Sequence, residues 1–305
     1  SCIKKLYGMW NGVVGLLNEN FTDLSHQDKD LVKQLYTTPS AALGSCRYKL
    51  NDDDTKRILK IFDKNDIHYM YLIGGNDTAE TTLKIADYAE VVGYPLRIIA
   101  VPKTIDNDLP FTDHCPGYGS CARFIAQTVQ EAGRDTQAMK LVDPFKVIEV
   151  MGRNSGWLVA AAALGKCRDE DAPHLLYFPE RPFSTEQFLS DVRDAYYKFG
   201  YAVIVVSETI RDKDGARIGA KRDGILYDSF GHAYVEGAAQ ALCRMIEQEF
   251  KQRARFDKPG TIQRMSMAYI SPLDQKEAFE VGRTAVDISV EGKSGVMVTI
   301  LRNEG

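Results

Sequence analysis

The sequence predicts an α/β fold of two Rossmann-like domains with mostly parallel sheets, on three observations. Short apolar runs alternate with longer amphipathic stretches. The runs are apolar on both faces, as parallel strands covered by helices must be. Each run ends in a polar loop rich in glycine, acids or arginine. The 305 residues suit one large or two ordinary domains, and 44% hydrophobic with 26% charged residues is a globular composition.

The predicted strands are His68–Ile73, Leu96–Val101, Lys146–Met151, His174–Phe178 and Tyr201–Val206, each rich in Val, Ile, Leu, Phe, Met or Tyr. The predicted helices are Thr78–Val92, Ser120–Ala132, Asn154–Leu164, Thr185–Phe199 and Tyr234–Phe250. The first opens on a capping Thr, with Glu80 in the first turn where the helix dipole favours an acid.

Charge and cysteines exclude several classes. A net charge of −4 argues against a general nucleic-acid binder, which needs clustered cations on phosphate. Apolar runs such as Trp157–Leu164 fall far below the about 20 residues of a membrane span. The 6 cysteines form no Cys-x-x-Cys pair and are too sparse for a disulfide scaffold, so a cytoplasmic setting is expected.

Parallel sheets bind ligands at the carboxyl ends of their strands. The loops that follow the five strands begin Gly74-Gly75-Asn76-Asp77-Thr78, Pro102-Lys103-Thr104-Ile105-Asp106-Asn107-Asp108, Gly152-Arg153, Pro179-Glu180-Arg181 and Ser207-Glu208. Gly74-Gly75 lets backbone approach an anion ahead of a helix N-terminus, or is a tight turn. Asp77 is a solvated acid or one that excludes a donor. In Lys103–Asp108 one carboxylate can take a hydroxyl proton, the other can help hold Mg²⁺, and the lysine can neutralise developing charge. The same run also reads as a polar turn. Arg153 can grip phosphate bidentately or bridge domains. Glu208 can accept sugar hydroxyls or be a strand end. Arg255 and Arg264 can clamp a second phosphate or belong to a basic exposed segment with Lys251, Arg253 and Lys258.

The ordered set Gly-Gly-Asn-Asp-Thr, Pro-Lys-Thr-Ile-Asp-Asn-Asp, Glu149-Val-Met-Gly-Arg153 and Gly260-Thr-Ile-Gln-Arg264, with Gly44-Ser-Cys-Arg47 upstream, resembles the phosphofructokinase family. The resemblance runs from about Leu6 to Arg302. It implies that Asp106 is the base for the 1-hydroxyl of fructose 6-phosphate, with Thr104 beside it, and that Asp108 and Asn76 lie on the Mg²⁺ side. Ile105, Met151, Gly152 and Arg153 would contact substrate and the transferring group, and Glu208 the sugar hydroxyls. Arg264 and Arg255 would hold the 6-phosphate, in the family sometimes from a neighbouring subunit. Gly74, Gly75, Asp77 and Arg47 would face the phosphoryl donor.

ATP-dependent members usually carry glycine at the positions of Asp77 and Lys103, so the chain looks like the pyrophosphate-dependent branch. A carboxylate where the α-phosphate of ATP must go would repel it in a low-dielectric site. The alternatives are an ATP-dependent enzyme with Asp77 turned away, or a non-catalytic or truncated sugar-phosphate-binding homologue. Three departures from the family stand out. Asn76 replaces an acid; Thr261 stands where His or Tyr is usual, with Met-Ser-Met after Arg264; and the sequence begins after the family's first strand and Gly-rich loop. The resemblance also implies a homo-oligomer, and a donor domain of residues 1–117 plus 262–305. Residues 118–261 would form the sugar-phosphate domain, with the active site in the cleft.

Overall fold

The computed structural model describes residues 4–219, 226–227, 233–234 and 237–303. The chain divides into two compact units. The first holds 1–104, 109–117 and 271–305, and the second 105–108 and 118–270.

The first unit opens with β1 (Tyr7–Met9), α1 (Gly12–Leu17) and β2 (Phe21–Asp23), the strands pairing antiparallel, followed by α2 (Lys29–Gln34). Helix α3 (Asp52–Lys64) leads into β3 (Tyr69–Gly74), α4 (Asn76–Val91) and β4 (Arg97–Pro102). Helix α3 is not among the expected helices. Its start is a capping box: Asn51 accepts from the Asp54 amide while the Asp54 carboxylate accepts from the Asn51 amide.

The second unit runs α5 (Tyr118–Ala138), β5 (Phe145–Val150), α6 (Trp157–Ala161), β6 (Leu175–Tyr177), α7 (Thr185–Phe199) and β7 (Ala202–Ser207). The two-residue pair β8 (Leu226–Tyr227) and β9 (Ala233–Tyr234), α8 (Ala238–Phe250) and β10 (Ala254–Asp257) complete it. The chain then returns to the first unit as α9 (Pro272–Val290) and β11 (Val296–Met297).

Both main sheets are parallel. In the first unit the order is β11-β4-β3, and in the second β10-β5-β7-β6. Alternate residues of the central strands face opposite cores. Phe145, Val147, Ile204 and Val206 pack with α7 and α8, whereas Ile148, Val150, Val203 and Val205 pack with α5 and α6. In the first unit Ile98 lies with the core of α3 and α4, and Ile99 with Val281 and Ala285 of α9.

All five expected strands form, shifted by a residue or two at their ends. The expected 185–199 helix is α7, with Ser184 capping its start and Gly200 closing it in the left-handed region at φ 79°. Four helices differ. The expected 120–132 helix is α5, which starts at Tyr118 and runs on to Ala138. Helix α4 starts at Asn76, so Thr78 lies within it and Gly75 is its cap. The 154–164 segment is helical only from Trp157 and tightens into a 3₁₀ turn over Ala162–Gly165. Of the expected 234–250 helix, Tyr234 belongs to β9 and residues 235–236 lie outside the described residues.

Two stretches expected with the first unit pack with the second. Residues 262–270 lie against α5, where Phe124 meets the Tyr269 ring edge-on at 5.7 Å and Arg123 donates to the Ile270 carbonyl at 2.6 Å. Residues 105–108 join the second core through Ile105, and the Ser155 hydroxyl donates to the Asp106 carbonyl at 2.7 Å. Among the described residues no helix is long and apolar enough to cross a membrane. The cysteines there, Cys46, Cys115, Cys121, Cys167 and Cys243, form no disulfide with one another, and Cys2 lies outside the described residues.

Candidate active site

In the first unit the carboxyl ends of β3 and β4 are level, Gly74 pairing with Pro102. Gly74 is required by the turn that follows: a Cβ there would lie 2.1 Å from the Thr78 hydroxyl. Gly75 has a different job. Its added Cβ would lie 3.7 Å from the Lys103 carbonyl and the Thr104 side chain, and as the cap of α4 it offers no side-chain acceptor. The N-terminus of a 16-residue helix therefore starts beside the Lys103 carbonyl and the Thr104 side chain. Asp77 lies in the first turn of that helix, and both Asp77 and Lys103 are exposed.

Thr104 bridges in parallel to Gly117, whose amide donates to the buried Asp274 carboxylate at 2.9 Å. His114 lies between Asp274 and Glu277, and Glu277 also pairs with Arg302. This cluster fastens the 109–117 stretch to α9 and the segment after β11. Arg47 is exposed in the same unit. Its loop packs on the turn before α1, where Gly44 at φ 75° leaves room for Asn11, and Lys49 pairs with Glu80 of α4 at 3.6 Å.

In the second unit the ends of β5 and β7 are level, Val150 pairing with Ser207. Here the loops are held by hydrogen bonds. Gly152, at φ 121°, has no space for a side chain, because a Cβ would lie 2.3 Å from the Ser155 carbonyl. Its amide donates to Glu208 Oε1 at 3.3 Å, and its carbonyl accepts from the buried Ser207 hydroxyl at 2.6 Å. The Met151 amide donates to Gln263 Oε1 at 3.2 Å, and Gln263 Nε2 donates to the Gly260 carbonyl at 2.8 Å. Met151, Gly152, Glu208 and the Gly260–Arg264 turn are thus brought together, with Arg153 next in the chain.

Asp106 is half-buried and Asp108 exposed. Between them Asn107 is buried and takes a left-handed conformation at φ 52°, one that asparagine tolerates better than most residues.

Arg255 does not join this group. It pairs in register with Lys146, at the amino end of β5, and its guanidinium meets Asp143 at 3.2 Å. It lines a cavity of about 400 Å³ with Lys146, Asp135, Asp143 and Asp257. Spacing from the 260–264 motif could not reveal that β10 carries it to the opposite edge of the sheet.

Sequence reasoning passed over Gln263, Ser155 and Ser207. Gln263 stood inside a quoted motif, and a glutamine only 2% exposed is the kind of polar group that must have partners.

The phosphofructokinase family model matches residues 2–289. The chain belongs to the phosphofructokinase family. A relative from Halomonas elongata named pyrophosphate–fructose 6-phosphate 1-phosphotransferase is 39% identical, over 98% of this chain and 72% of its own. A relative from Alkalicoccus urumqiensis named sulfofructose kinase is 33% identical, over 98% of this chain and 76% of its own. The crystal structure of a pyrophosphate-dependent phosphofructokinase from Marinobacter aquaeolei superposes with a TM-score of 0.87 at 36% identity. That match covers 99% of this chain and 71% of the other.

Proposed function

We propose that this phosphofructokinase-family chain transfers a phosphoryl group reversibly from pyrophosphate to the 1-hydroxyl of fructose 6-phosphate. Fructose 1,6-bisphosphate and phosphate are the products. Asp106 accepts the hydroxyl proton as the oxygen attacks, with Thr104 beside it. Lys103 and Arg153 neutralise the charge that builds on the transferring group and the leaving phosphate. Ile105, Met151, Gly152 and Glu208 hold the sugar, and Arg264 its phosphate. Gly74, Gly75 and Arg47 face the donor.

The observation that carries the donor assignment is Asp77 in the first turn of α4, a helix whose capping residue is a bare glycine beside Lys103. A helix start of that kind attracts a compact diphosphate, while the carboxylate within it opposes a further phosphate bearing a nucleoside.

Among the described residues no three His, Cys, Asp or Glu side chains gather into a metal cage. The donor set expected for Mg²⁺, Asp108 and Asn76, is sparse and all oxygen. It fits an ion that keeps several waters and is held partly by substrate phosphates. When bound, Mg²⁺ would offset charge on the diphosphate. A homo-oligomer and a cytoplasmic setting belong to the same reading.

The test is product formation with Mg²⁺ and either pyrophosphate or ATP. Turnover is expected with pyrophosphate alone, and Asp77→Gly should admit ATP to a measurable degree. Turnover of the unaltered chain with ATP would overturn the assignment.

A further inference from the structure

Glu149 opens the Glu149–Arg153 motif, yet it takes no part in the transfer itself. It lies near the end of β5 and is only 2% exposed. It continues the face that Phe145 and Val147 turn toward α7 and α8. A carboxylate buried so deeply is costly unless it is both paired and hydrogen-bonded.

Glu149 has both kinds of partner. Its Oε2 accepts from the Ala239 amide at 3.1 Å, across 90 residues of chain. Ala239 is the second residue of α8, and the cap of that helix, Gly237, has no side chain to offer. An N-cap side chain would bond that amide, and the carboxylate of the strand takes its place. It leaves no room for another, because a Cβ on Gly237 would lie 2.5 Å from Oε2. At the other oxygen, the half-exposed Lys258 brings its ammonium to 2.6 Å from Oε1.

Lys258 carries this pair to the site. It directly follows β10 and leads through Pro259 into the Gly260–Arg264 turn. Gln263 of that turn accepts from the Met151 amide at 3.2 Å, and Met151 stands two residues beyond Glu149. The contacts close a ring: Glu149 to Lys258, along the chain to Gln263, across to Met151 and back along the strand. Held by Gln263 alone, the turn could pivot; held at Lys258 as well, its distance from Met151 is fixed.

We propose that Glu149 is a positioning residue for the sugar-phosphate substrate, its buried carboxylate setting the 260–264 turn against Met151 through Lys258. The inference rests on the proposed function, in which Met151 and Gly152 hold the sugar and Arg264 its phosphate. Enclosed as it is, Glu149 acts through those groups.

The test uses the full chain, its unaltered form beside Lys258→Met, Lys258→Arg and the double variant Lys258→Met with Glu149→Gln. Lys258→Met strands the carboxylate, so the thermal midpoint should fall. KM for fructose 6-phosphate should rise about 10- to 100-fold, with KM for pyrophosphate changed less than about twofold. Adding Glu149→Gln removes the stranded charge while its amide oxygen still caps α8. The double variant should therefore regain the midpoint but keep the raised KM, whereas Lys258→Arg should recover most of both.

A pair that only stabilised the fold would let KM recover together with the midpoint. A KM for fructose 6-phosphate within about threefold of the unaltered chain in the double variant, or equal rises for both substrates, would overturn the inference. If the unaltered chain fails to turn over, the proposed function falls. The ring is then judged alone, by amide exchange in the ligand-free protein. The Met151 amide should exchange at least about tenfold faster in the double variant, with Ile204 in mid-β7 unchanged. Equal exchange at Met151 in the two proteins would show that Glu149 and Lys258 do not set the turn.

Discussion

The carboxyl edges of the two parallel sheets are built differently. In the second unit the backbone around Met151–Gly152 is tied by Gln263, Glu208 and Ser207, and the Asp106 carbonyl by Ser155. In the first unit the corresponding edge presents a glycine-capped helix start, with Asp77 and Lys103 exposed. A sugar phosphate has hydroxyls at fixed positions and rewards fixed geometry. A diphosphate is mostly charge, and is met by amide groups and mobile charged side chains that need not be locked beforehand. Under the proposed function the contrast assigns the tied edge to the sugar phosphate and the open edge to the diphosphate, and each substitution below tests one side of it.

The largest effect is expected at Asp106. Asp106→Asn should lower kcat by about 100- to 10,000-fold, the range for removal of a general base. Binding of fructose 6-phosphate should change little, because the Ser155 hydrogen bond goes to the Asp106 backbone and survives the substitution. Steady-state rates with direct binding of the sugar phosphate check this. A kcat within tenfold of the unaltered chain would remove Asp106 from the chemistry.

How far the sequence showed all this depends on the range of the cause. Strands β4, β5 and β7 were legible as apolar runs that are almost wholly buried, β3 and β6 as apolar runs that are only partly so, and α7 because its cap and its closing glycine are both local. Helix α9 was passed over although Ser271 caps it and Pro272 stands in its first turn, both local signals. Strand β10 was not legible either, since Arg255, Phe256 and Asp257 are all exposed at the sheet edge. In the candidate site, Asp106, Arg153 and Glu208 follow strands directly and were found by position. Gln263 meets Met151 across 112 residues, and Glu149 meets Ala239 across 90. No local pattern announces either contact.

The paired glycines sharpen the comparison on the open edge. Gly74→Ala forces a Cβ to within 2.1 Å of the Thr78 hydroxyl and should destabilise the first unit by about 1–3 kcal/mol. Gly75→Ala meets nothing closer than 3.7 Å, and at φ −94° it carries no backbone penalty. Its stability should stay within about 0.5 kcal/mol, while KM for pyrophosphate rises because the methyl group sits where the anion approaches. Denaturation midpoints read beside both Michaelis constants distinguish the two roles. Equal loss of stability in both variants, with no change for pyrophosphate, would mean that the edge is only a turn.

The smallest effect lies away from both edges, at His174, just before β6. Its Nδ1 accepts from the Val203 amide at 2.9 Å, and its ring packs on Phe199 and Tyr201. Burial, reinforced by the charge of Lys166, pushes its pKa down to about 4. The unfolded chain takes up a proton at this residue near pH 6.5, whereas the folded chain resists until about 4. Between those values the unfolded state binds more protons, so stability must fall as the pH drops through that window and level off on either side. The loss is on the order of 2 kcal/mol and confined to the second unit. Amide exchange at Val203 and its β7 neighbours, followed from pH 7 to pH 4 and corrected for intrinsic rates, should show protection falling in that range. In His174→Gln the slope should vanish. If it persists there, acid lability in this sheet belongs to other groups, and the ordered edge above it owes nothing to a neutral imidazole.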